Sequence, residues 1–149
     1  MSTLADPKVR ASCCDRIARL DAGAKPKWGR MTVHQMVCHL NDSFRVGAGE
    51  KYASPATNVF TRTVVKWIAL RTAVPWPKGS PTRPEIEQGR GGTPPSDWLR
   101  DCAELRGSIL SFADRQTFGV HPFFGKMAQG DWHVWGYRHV DHHLRQFGV

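Results

Sequence analysis

The chain is short of acidic residues, short of cysteine, and has no long apolar run. Its 149 residues carry 13 Asp and Glu against 21 Lys and Arg, a formal charge of +8. That excess raises nucleic acid and anionic membranes as partners, but the basic residues are scattered and form no basic arm. A solvated basic surface with no specific nucleic-acid groove follows, and anionic small molecules remain compatible ligands. The four cysteines, Cys13, Cys14, Cys38 and Cys102, show neither CxxC spacing nor a dense framework. The adjacent pair cannot bridge without strain, so buried thiols in a reducing compartment are expected. Met1 to Lys8 lacks the apolar segment of a signal peptide. The most apolar stretch, Val59 to Trp76, is broken by Arg62, Lys66 and Arg71, which makes it a poor membrane span. A cytoplasmic protein with no membrane partner is the expectation.

The hydrophobic fraction is 40%, with six tryptophans. One domain covering residues 1–149 is large enough to bury an ordinary core. Helical signals outnumber strand signals. Asp6-Pro7 reads as an N-cap with proline at the first helical position, followed by Val9, Cys13, Ile17 and Leu20 on one face and a stop at Gly23. Thr32 and Gln35 have capping-box spacing ahead of the stripe Val33, Met36, Val37, Leu40 and Phe44, which ends near Gly47 and Gly49. A third helix is predicted over Phe60 to Ala73. Its stripe of Phe60, Val64, Trp67 and Ile68 is assigned to core packing, with a partner interface as the other use. Pro75 to Pro95 contains six of the ten prolines and reads as a long irregular crossover. A fourth helix is predicted from Ser96 to Asp114 with Leu99, Cys102, Leu105, Ile109 and Phe112 inward, and a last one from Gln129 to Phe147. The expected fold class is all-α, a four-helix bundle with one long Pro/Gly-rich crossover loop.

Seven histidines is a high count, and three fall within His139-Val140-Asp141-His142-His143. Residues four apart on a helix lie one above the other, roughly 5–6 Å apart at Cβ, so two imidazoles so placed can share one ion. On a wheel of about 100° per residue, Val140, Leu144, Phe147 and Tyr137 form the core stripe, while Asp141, Arg145 and Arg138 face solvent. His139 and His143 lie between these arcs, near Trp132 and Gln146. His142 sits nearer the polar side, as a rim residue or a group behind the ligands. From the second helix, His39 is the better third ligand, because His34 projects to a different side with Cys38 and Asn41. His121 lies in a loop and is able to overhang the site; His133 falls near the start of the final helix. Three neutral imidazoles leave coordination positions open for water or substrate, the layout of a catalytic site.

Two stretches resemble a known family. Trp28-Gly29-Arg30-Met31-Thr32-Val33-His34-Gln35-Met36-Val37-Cys38-His39-Leu40 is similar to the opening motif of a DinB-like family of uncharacterised bacterial proteins. His121-Pro122-Phe123-Phe124-Gly125, with Trp132 and the run His139 to Phe147 (HxxHHLRQF), is similar to that family's C-terminal motif. The resemblance to the DinB/YfiT-like superfamily implies a four-helix bundle, often a homodimer. It also implies a metal triad that carries over to His39, His139 and His143. Members with known activity include S-transferases that use low-molecular-weight thiols and a mycothiol-dependent maleylpyruvate isomerase; others are labelled hydrolases.

From these residues the expected function is divalent-metal-dependent chemistry on a small-molecule substrate. A thiol-dependent S-transferase-like reaction on an electrophile comes first, with metal-assisted hydrolysis or a non-catalytic metal- or ligand-binding bundle as alternatives. Imidazole ligands suit zinc, nickel, copper or iron. No extra carboxylate stands beside the histidine pair as a general base. Asp42, one turn beyond His39, either orients the site or is a solvated helical aspartate, and Gln146 either bonds an imidazole or merely packs. Arg83 and Arg90 in the long loop read first as ordinary loop charges, with attraction of a carboxylate-bearing thiol as their other use.

Overall fold

The computed structural model describes residues 1–149 and contains five α-helices and no strand. The expected all-α class is therefore observed. Helix α1 spans Pro7–Ala18, and the Asp6 side chain caps it by accepting from Lys8 N at 2.8 Å. It stops before the expected Gly23. Arg19 N and Leu20 N reach back only three residues, to the carbonyls of Arg16 and Ile17, and tighten the last turn. The Asp21 carboxylate then accepts from Gly23 N and sets the next bend.

Helix α2 (Val33–Ala48) carries the complete capping box between Thr32 and Gln35, an arrangement that contributes about 1 kcal/mol. Twelve of its 16 residues are buried, which makes it the central helix of the fold. It packs against α4 (Trp98–Phe112), α5 (Gln129–Gln146) and a short 3₁₀ turn at Pro84–Ile86. Helix α1 packs on α4 and α5. One continuous core joins these faces, with Met36, Leu40, Leu105, Ile109, Trp132, Val140 and Leu144 sealed from solvent.

Two expected inward faces point elsewhere. Leu99 is 77% exposed. It lies about 100° from the stripe Cys102, Leu105, Ile109 and Phe112, and Trp98 takes the inner position, edge-on to His34 at 5.4 Å. The stripe Phe60, Val64, Trp67 and Ile68 is also exposed, Phe60 and Trp67 at 61% each. Core packing of this face is therefore corrected; Ala69 and Leu70 provide the buried contacts instead.

The segment also winds unlike a regular helix. Thr61–Val65 forms a π turn that leads into α3 (Lys66–Arg71). Thr61, Thr63, Val64 and Val65 crowd χ1 against the preceding turn, and Thr63 Oγ1 donates back to the Val59 carbonyl. Beyond α3, residues 72–97 are irregular apart from the Pro84–Ile86 turn.

Candidate metal centre

The central helix and the C-terminal helix bring His39, His139 and His143 together. Their ring centroids lie 5.2, 5.0 and 4.9 Å apart, and one nitrogen from each falls within 4.8 Å of the others. His39 Nε2 and His139 Nε2 approach to 3.3 Å.

The partners behind the rings decide which nitrogens face inward. His39 Nδ1 lies 3.2 Å from the carbonyl of Ile86. A carbonyl only accepts, so Nδ1 carries the proton and Nε2 keeps its lone pair. His143 Nδ1 donates likewise to Gln146 Oε1 at 2.8 Å. The Gln146 amide is oriented by its own donation from Nε2 to the Trp28 carbonyl at 2.7 Å. Donors of this kind fix the tautomer and raise the basicity of a ligating imidazole. With Nε2 of His39 unprotonated, it either accepts from His139 Nε2–H across the 3.3 Å contact or shares a cation with that nitrogen. Burial pushes all three imidazoles below the ordinary histidine range, and repulsion between the rings adds to this for His139 and His143. The rings are thus neutral near pH 7. The residues present fit a divalent cation.

The triad opens on a cavity of about 470 Å³ lined chiefly by aromatic and aliphatic groups, among them Trp28, Trp76, Phe123, Phe124 and Trp135. No Asp or Glu lines it. Its other ionisable groups are Arg30, Arg83, His121 and His142. His142 is half-buried, between Trp28 and Trp76 at ring distances of 5.6 and 6.4 Å. It flanks the triad as a rim residue. His121 overhangs the cavity from the loop closed by its paired backbone bonds with Gly125. Its Nδ1 accepts from the backbone N–H of both Phe123 and Phe124, so its proton resides on Nε2. Burial drives its pKa down to about 3.

Other expected participants lie elsewhere. His34 bonds to Asp101 on the face toward α4, and His133 is buried beside Phe112. Asp42 is not solvated, and it does not line the cavity. Fully buried, it accepts from Thr93 N and Oγ1, both at 2.7 Å, and pairs with Arg45 and Lys51 at 3.0 Å each. Burial alone would raise its pKa, but these donors hold it below the usual carboxylate range. Arg83 lines the cavity and donates to Ser54, whereas Arg90 is exposed and paired with Glu87. Sequence reasoning missed the two backbone carbonyls, of Ile86 and Trp28. The one available signal was Ile86 itself, a solitary aliphatic residue in the Pro/Gly-rich loop.

Residues 8–148 match the model of a protein family, and the chain belongs to it; the family is described as a protein of unknown function (DUF1569). No curated protein and no solved structure matches the chain.

Proposed function

We propose that the protein is a divalent-metal-dependent enzyme that activates a small thiol for transfer to an electrophile. His39, His139 and His143 would hold the ion. The observation that carries this reading is the convergence of three buried, neutral imidazoles, two with Nε2 lone pairs fixed inward, at the wall of an apolar cavity. When bound, the ion supplies the positive charge that lowers the pKa of a thiol or a water beside it.

The lining favours the thiol. No carboxylate faces the cavity to take a proton from water, which leaves that role in hydrolysis to an imidazole such as His142. A thiol is already the more acidic nucleophile. Arg83 and Arg30 suit a carboxylate-bearing thiol, and the aromatic walls suit an apolar electrophile. His121 offers its Nε2 proton as a hydrogen-bond donor to the substrate. Metal-assisted hydrolysis is the alternative chemistry.

The packing of α1, α2, α4 and α5 supports a DinB-type four-helix bundle as the finer description of the fold. A homodimer is part of the same reading, with the exposed face of Phe60, Val64, Trp67 and Ile68 as its candidate interface. No helix is long and apolar enough to cross a membrane.

Elemental analysis of the purified protein beside His139→Ala tests the centre, and equal metal content in the two would sink it. Incubation of the metal-loaded protein with electrophiles, with and without a panel of low-molecular-weight thiols, tests the reaction. Turnover that needs no thiol would overturn the transferase reading and favour hydrolysis.

A further inference from the structure

Helix α2 presents a second group of ligating side chains on the face turned to α4. His34 and Cys38 are four residues apart and stand one above the other. Asp101 of α4 reaches between them. Its Oδ2 lies 2.8 Å from His34 Nε2 and 3.6 Å from Cys38 Sγ, and it also accepts from Ser96 N at 3.2 Å. The three candidate ligand atoms all fall within 4.8 Å of one another. The backbone behind Asp101 is tied to α2 as well, since Asn41 Nδ2 donates to the Asp101 carbonyl at 3.0 Å. Cys38 and Asp101 are buried, while the His34 side chain is 23% exposed and gives the cluster its contact with solvent.

We propose that His34, Cys38 and Asp101 form a second metal site, selective for a thiophilic divalent cation of the zinc class. In the metal-free protein, imidazole and thiol protons point at one carboxylate oxygen. A cation replaces both. The thiol proton passes to solvent, and the imidazole proton moves from Nε2 to Nδ1, on the ring that meets solvent. Thiolate and carboxylate then cancel the dication's charge in full, which the three-histidine centre does not. A mixed sulfur, nitrogen and oxygen set discriminates against magnesium and calcium, which take oxygen ligands. The bound cation would cross-link α2 to α4 directly beside the helix turn that carries His39. This site stands independently of the function proposed for the triad.

Cobalt(II) separates the two centres, because only a cysteine ligand gives a thiolate-to-cobalt charge-transfer band in the near ultraviolet. The full-length protein, stripped by chelator and titrated with cobalt(II) alone, should develop that band. Cys38→Ser should abolish it, and His34→Ala should weaken cobalt binding there at least about 10-fold. The band should persist in His139→Ala, which loses the triad, and in Cys14→Ser and Cys102→Ser. His34 is only half-buried, so its variant reports on the site even if Cys38→Ser fails to fold. Absence of the band in the wild type overturns the proposal, as does its survival in Cys38→Ser or undiminished affinity in His34→Ala.

Discussion

Replacing Gln146 by methionine removes the hydrogen bond behind His143 while leaving all three triad imidazoles in place. Gln146 is buried, accepts from His143 Nδ1 at 2.8 Å and donates to the Trp28 carbonyl at 2.7 Å. Methionine fills a similar volume but does neither. The His143 ring is then free to carry its proton on Nε2, the nitrogen that faces the other imidazoles. Loss of such a partner typically weakens metal binding about 10–100-fold, or roughly 1.4–2.7 kcal/mol. The fold loses about 1–3 kcal/mol more for each buried group left unpaired. Zinc competition against a chromophoric chelator reads the first effect and urea unfolding of the metal-free protein reads the second. Gln146→Glu separates them. Its carboxylate still accepts from Nδ1, so zinc affinity should be retained, yet the bond to Trp28 is lost and stability should fall. Wild-type zinc affinity in Gln146→Met, alongside its loss in His143→Ala, would refute the tautomer argument.

Three further outcomes are expected. Gly29 has φ of 81° and a Cβ there would lie 2.7 Å from Gln146 Nε2. Gly29→Ala should therefore cost about 1–2 kcal/mol in backbone strain and also weaken zinc binding in the competition assay; unchanged affinity would show that Gln146 is not held through this loop. Asp42→Asn should lower unfolding stability by about 3 kcal/mol, the lower end for a broken buried ion pair because Arg45 and Lys51 are partly hydrated. Zinc affinity should stay near wild type, and a large loss would contradict the separation of Asp42 from the centre. The pH dependence has a definite sign. His121 titrates near 6.5 when unfolded and at about 3 when folded, so the unfolded chain takes up the proton first. Its contribution is full above about pH 6.5 and is lost as pH falls, at a limiting slope of ~1.4 kcal/mol per pH unit. The depressed triad histidines act in the same direction. Urea titrations of the metal-free protein between about pH 7 and pH 5 should show this slope reduced by one proton in His121→Asn; an unchanged slope would count against a buried neutral His121.

The triad was legible in the sequence for a geometric reason. His139 and His143 occupy the border between a clean apolar stripe and a clean polar arc, so the wheel alone separates them from His142. His39 lies at the edge of the stripe on α2 in the same way. What escaped depended on contacts between segments far apart in the chain. Asp42 looks like a surface residue until Thr93 and Lys51 are folded over it. The stripe Phe60, Val64, Trp67 and Ile68 has the periodicity of a core face, and nothing local reveals that no other element covers it. Leu99 is apolar, but its angle on the wheel sets it outside the inward stripe, and there the angle prevails.

The carbonyl of Ile86 behind His39 has a consequence for how this protein tolerates change. A carbonyl belongs to every residue, so a mutational scan would find position 86 permissive toward any side chain able to fill the same space. The restriction falls instead on the bonds that hold the turn. Gly91 N donates to the Pro84 carbonyl at 2.9 Å, and a Cβ at Gly91 would sit 2.7 Å from that same oxygen. Divergent copies of this chain should therefore vary at the residue that contacts the ligand and stay fixed at a glycine five positions away. An amide-to-ester replacement of the Ile86–Glu87 bond would weaken that acceptor without altering any side chain; it also removes the Glu87 N–H, whose bond to the Pro84 carbonyl is long at 3.4 Å.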